Sequence, residues 1–228
     1  MTCADVLSVL LSRSAAWLRC LPAPRGHHPC WACGLSLFLV VPVLTATAGA
    51  GLARCPSAQD HSVALDALIA KVHRASDEAE AQALFNQMWA FWADAPDAQA
   101  QAILDRGMMR RSAYDFVGAL EDFDRLIAYC PAYAEGYNQR AFVHFLRQDF
   151  AAALLDLDRT LALSSRHVAA LSGRALALYG LARLPEARDA LGAALRLNPW
   201  LAERSLALQG GPLAPEALDK VTPEDREL

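Results

Sequence analysis

The stretch DFVGALEDFDRLIAY at residues 115–129 returns thirty-four residues later as DFAAALLDLDRTLAL at 149–163, and more loosely as RLPEARDALGAALRL at 183–197. A chain that repeats at one fixed spacing folds as units that each meet mainly their neighbours. Three copies align without a gap, at 100–133, 134–167 and 168–201. Ala and Leu dominate and β-branched runs are scarce outside 39–45, which favours helices throughout. With 54% of its 228 residues apolar, the chain has enough hydrophobic surface to bury a core.

Numbering positions 1 to 34 within each copy exposes the columns. Position 8 is Gly107, Ala141 and Ala175, and position 20 is Ala119, Ala153 and Ala187. Position 17 is Phe116, Phe150 and Leu184. Position 24 is Phe123, Leu157 and Leu191, and position 32 is Pro131, Ser165 and Pro199. This pattern resembles the tetratricopeptide repeat (TPR), whose period is 34 and whose small residues recur at the same places. Position 4 is Ile103, Tyr137 and Leu171, apolar without the usual Trp, and position 11 is the weakest column. The resemblance implies an all-α fold, a right-handed superhelical stack of antiparallel helix pairs. Small residues at 8 and 20 would let the paired backbones approach, and large apolar residues at 4, 17 and 24 would fill the space left.

Position 7 is Arg106, Arg140 and Arg174, and position 23 is Asp122, Asp156 and Ala190. A partly buried Arg needs a partner, so Arg106 with Asp122 and Arg140 with Asp156 are expected as structural ion pairs.

Residues 51–99 read as a linker and a degenerate helical pair. VALDALIAKVHRA carries a helical apolar stripe, and Ser76-Asp77-Glu78 is a helix start. Trp89 and Trp92, three apart, share a face and are expected to pack beneath the first copy as a cap. Residues 202–228 read as a short cap helix and a flexible tail. The W-x-x-W before A-P-D, AEGYNQRA at 134–141 and RHVAALSG at 166–173 are similar to small exported TPR proteins of proteobacteria.

The first fifty residues differ in kind. Arg13, Arg19 and Arg25 precede an uncharged run at 34–53 that ends in small residues, the marks of a secretory signal cut near Ala48 or Ala50. The front is long for such a signal, as an over-extended N-terminus would be. The expected destination is periplasmic or secreted. The alternative is an uncleaved anchor in the inner membrane, since about 20 apolar residues span a bilayer. Cys30 and Cys33, with His27 and His28, lie in the part removed by cleavage, so no metal site is expected from them. Cys55 and Cys130 remain. Both fall along one edge of a stacked array, and an oxidising compartment makes them a candidate disulfide.

No nucleophile triad, phosphate loop or HExxH motif is present, so neither catalysis nor a cofactor is expected. The formal charge of -4 gives no reason to expect nucleic acid. His144 and His167 read as isolated, packed or surface residues. The resemblance places the lining of a concave groove at positions 5, 9 and 12. The expected partner-binding residues are Met108, Asn138, Phe142, Phe145, Ser172, Leu176 and Tyr179, with Gln139 as a further hydrogen-bonding point. The Lys at position 5 and Asn at position 9 that clamp a C-terminal carboxylate in some relatives are absent. The reading is therefore an interaction module for a protein or peptide. Alternatives are an envelope-anchored structural or assembly protein, self-association through an end face, and an enzyme of unknown chemistry.

Overall fold

The computed structural model describes residues 55–215. The segment expected to be a signal, the Cys30/Cys33 pair with His27 and His28, and the residues from 216 lie outside the described residues. The elements are α1 (Ser62–Val72), α2 (Glu78–Trp92), α3 (Ala98–Ser112), α4 (Phe116–Tyr129), α5 (Ala134–Leu146), α6 (Phe150–Leu163), α7 (Val168–Gly180), α8 (Leu184–Leu197) and α9 (Arg204–Ala207). There is no strand among the described residues. No helix among them is long and apolar enough to cross a membrane.

Each helix pair of the three copies is joined by the same turn. Position 15 is left-handed in every copy, with φ of 62° at Tyr114, 61° at Gln148 and 57° at Ala182. The amide of the next residue reaches back to the position-11 carbonyl, as in Asp115 N to Arg110 O at 2.9 Å. Tyr114 N bonds to Arg111 O at 3.0 Å beside it. This pair of hydrogen bonds is the Schellman arrangement that satisfies the last carbonyls of a helix. The following Asp then caps the next helix, Asp115 accepting from Gly118 N and Asp149 from Ala152 N. Arg183 in the third copy makes no such cap.

The pairs α3–α4, α5–α6 and α7–α8 stack into an all-α solenoid. Ala119, Ala153 and Ala187 are fully buried where the paired backbones approach, and so are Phe123 and Leu191. Copy 1 alone has Phe at position 24. It also has Gly at position 8, and a Cβ on Gly107 would sit 2.5 Å from the Phe123 ring. The other two copies combine Ala with Leu, so one column compensates for the other.

Arg106 donates to the buried Asp122, Nε to Oδ1 at 2.9 Å. Arg140 grips Asp156 with Nε and Nη2, at 2.8 and 2.6 Å. Hydrogen bonding to Asp156 raises the Arg140 pKa above its ordinary value. Arg140 also reaches Asp124 of the preceding copy at 2.6 Å, and Arg174 reaches Asp158 of its preceding copy at 2.7 Å. The Arg column thus stitches copies together through position 25, where Asp follows Asp by two residues. That is how Arg174 finds an acid although its own copy has Ala190 at position 23.

The N-terminal hairpin α1–α2 is not a cap beneath the first copy. Its buried residues Leu68, Ile69, Val72, Leu84, Met88 and Trp92 share a core with Val168, Ala194 and Leu201 of the third. Arg166 pairs with Asp66 at 2.6 Å, His73 meets Arg196 O at 2.9 Å, and Arg204 donates to Glu78 at 3.1 Å. At the other end of α2, Tyr133 donates to Trp92 O at 2.8 Å. So α2 begins near the end of the array and runs back along it to the junction of the first and second copies, where Tyr133 stands. The reason is chemical: Val168, Leu171 and Leu197 of the third copy form an apolar edge, and the hairpin covers it with a matching apolar stripe. Cys55 and Cys130 are joined by a disulfide with Cα atoms 5.2 Å apart, tying the chain before α1 to the end of α4.

Candidate functional site

Because α2 runs along the inner face of the A helices, the groove is roofed. Between roof and wall lies a cleft of about 480 Å³. One stripe of α2 lines it, Glu78, Ala81, Gln82, Phe85 and Trp89, at the i, i+3, i+4, i+7 spacing of one helix face. Opposite stand Met108 of the first copy, Phe142 and Phe145 of the second, and Leu176 of the third. Trp200, Leu201 and Glu203 close the far end. Phe142 is 45% exposed, a high value for a Phe on a concave surface. A cleft of this volume, apolar with few polar groups, matches the size range of ligand sites.

Not every expected groove residue faces this space as a free contact. Asn138 is buried and its amide donates to both oxygens of Glu135, at 3.2 and 3.1 Å. Gln139 is also buried, donating to Glu135 and accepting from Arg111. Both are spent inside the protein, because α2 covers the start of α5 and every buried polar group there must find a partner. Ser172 lines the cleft, buried, and its hydroxyl has no hydrogen-bond partner. Tyr179 is 41% exposed and is absent from the cleft lining.

Under the roof sits a polar knot that sequence reading missed. Glu135, in the first turn of α5, is 1% exposed. His167 Nδ1 accepts from Ala170 N at 3.2 Å, leaving Nε2 to donate to Glu135 at 2.9 Å. Trp92 stacks on the same imidazole with ring centroids 4.2 Å apart. His167 is thus packed but not isolated. A buried carboxylate costs several kcal/mol. Three side-chain donors and the helix N-terminus offset much of that. Six buried apolar side chains of the hairpin, at about 1.5–3 kcal/mol each, outweigh the remainder and keep α2 docked.

Arg111 forms the charged part of the wall. Its guanidinium lies 4.8 Å from the Phe142 ring centroid and donates to Gln139. Burial pulls its pKa below the ordinary value, with the Glu135 charge acting the other way. No carboxylate among the described residues is within ion-pair distance of it. Among the described residues there is also no group of three or more His, Cys, Asp or Glu placed to hold a metal ion.

No protein-family model matches this chain, and no curated protein matches it. Solved structures do. The first TPR of Spaghetti (RPAP3), bound to the HSP90 peptide SRMEEVD, is 24% identical with a TM-score of 0.48, over 50% of this chain and 91% of that one. The TPR2B domain of yeast Sti1, in a complex with pHsp70, is 21% identical with a TM-score of 0.47, over 55% of this chain and all of that one. MamA from Desulfovibrio magneticus is 16% identical with a TM-score of 0.48, over 72% of this chain and 90% of that one. Three helical pairs at a 34-residue period give this chain the TPR fold.

Proposed function

We propose that the protein is an exported interaction module that holds a segment of another polypeptide in the cleft between the A helices and α2. The observation that carries this reading is the apolar wall of Met108, Phe142, Phe145 and Leu176 facing Phe85 and Trp89 across open space. The bound segment is extended. A helix is 10–12 Å across, and α2 already fills the helix-sized part of the trench. Carboxylate-clamp recognition is not proposed, since Leu104, Asn138 and Ser172 stand at position 5 and Met108, Phe142 and Leu176 at position 9. Export to a periplasmic or extracellular compartment is supported by the uncharged run at 34–53 and by the Cys55–Cys130 disulfide, which persists in oxidising surroundings.

Crosslinking in cells followed by mass spectrometry tests the reading, comparing wild type with Phe142→Asp. Phe142 is half exposed and its replacement leaves the solenoid core intact, so the variant folds while its crosslinked partners fall at least tenfold. Equal recovery of partners by a folded Phe142→Asp protein would sink the assignment.

A further inference from the structure

The cleft is not electrically uniform. At the first-copy end stands Arg111, half buried, with an amide and an aromatic ring as its neighbours and no carboxylate within ion-pair distance among the described residues. At the opposite end stand Glu203 and Glu78. Glu78 is paired with Arg204, whereas Glu203, half buried, makes no ion pair among the described residues. A cation that reaches its nearest acid, Glu135, only through Gln139 and an anion with no ion pair among the described residues thus terminate one apolar trough. α2 serves as its ruler: Glu78 to Trp89 is eleven residues, about 16 Å at 1.5 Å each. An extended chain advances about 3.3 Å per residue, so roughly five residues span the trough.

We infer that the segment held in the cleft is an extended stretch of about five residues with an apolar centre, an acidic side chain at the Arg111 end and a basic one at the Glu203 end. This rests on the peptide-binding reading above and adds the partner's chemistry and direction to it. A partly desolvated cation opposite a carboxylate forms a charge-assisted hydrogen bond, which is stronger than a neutral one and favours a ligand that supplies the missing charge. The carboxylate of the ligand replaces water on Arg111 without displacing Gln139, because the guanidinium has five N–H donors. The aromatic rings of Phe142, Phe145 and Trp89 take the central side chains.

The test uses the full protein and four capped pentapeptides sharing a core of three leucines. Their ends are aspartate and lysine, aspartate twice, lysine twice, or glutamine twice, and dodecanoate serves as a non-peptide carboxylate. Titration calorimetry or fluorescence polarisation reads the affinities. The aspartate/lysine peptide binds about tenfold tighter than the glutamine-ended one, and the like-charged peptides bind more weakly than the aspartate/lysine peptide. Arg111→Gln removes most of that tenfold advantage, and Glu203→Lys, at the half-buried turn before α9, shifts the preference to the doubly acidic peptide. Equal affinity for all four peptides, or one ranking unchanged in both variants, overturns the charge assignment while leaving the cleft as a peptide site. Failure of every peptide to bind, with or without binding of dodecanoate, overturns the peptide reading and this inference together.

Discussion

At the scale of single residues, the informative pair is Gly107 and Phe123. A methyl at position 8 of the first copy would sit 2.5 Å from the edge of the Phe123 ring, which is fully buried. Gly107→Ala is therefore expected to cost about 1–3 kcal/mol, the usual penalty of overpacking. Combining it with Phe123→Leu recreates the Ala/Leu pairing of the other two copies, so the double variant is more stable than either single one. Urea unfolding of the four proteins reads the coupling, and strict additivity would contradict it. The column of small residues was legible from the sequence, as were Arg106 with Asp122 and Arg140 with Asp156. The second contact of the same arginines was not. Columns compare equivalent positions, whereas Arg140 meets Asp124 and Arg174 meets Asp158 across a copy boundary. A period alone does not show which rows face each other across that boundary.

At the scale of elements, the left-handed residue at position 15 is the recurrent local strain. A Cβ-bearing residue there costs about 1–2 kcal/mol relative to its preferred backbone, and Gly loses part of that advantage through unfolded-state entropy. Ala182 is the clean site, because Tyr114 also packs its ring against Phe116. Ala182→Gly is expected to raise stability by about 0.5 kcal/mol, seen as a small upward shift of the urea midpoint with no change in slope. A fall in the midpoint would show that the entropy term dominates. The start of α2 was readable from Ser76-Asp77-Glu78 and the repeat junctions from Pro131 and Pro199, whereas the caps at Asp115 and Asp149 were not. The destination of α2 was not readable either. The three-residue spacing of Trp89 and Trp92 identifies a buried face, and Trp92 is indeed buried. Periodicity carries no information about what lies opposite, and here the partner is His167, seventy-five positions away.

At the scale of the whole molecule, the hairpin and the disulfide act together. Cys55 and Cys130 close a loop with a sequence separation of 75. Chain entropy alone assigns such a loop about 4.5 kcal/mol of stabilisation. Paired Cys55→Ser and Cys130→Ser replacement, or a reductant, is expected to remove about 2–5 kcal/mol. Guanidinium unfolding with and without reductant measures it, and coincident curves would refute the expectation. The cleft is also a whole-molecule property, since its wall comes from three copies and its roof from a hairpin that precedes them. For that reason the first-copy Met108 and third-copy Leu176 could be placed on one wall from the repeat, whereas Phe85 and the buried Glu135–His167 contact could not.

The covalent link has a mechanical consequence. Tension applied to the two ends of this chain enters at Cys55 and crosses directly to Cys130. Residues 56–129, with the roof helix and the first helical pair, hang as slack beside the stressed path. Pulling thus shears the later pairs away from the roof hairpin they pack against, without extending residues 56–129. Only after reduction does the sequestered length, on the order of 250 Å of extended chain, become available to stretch.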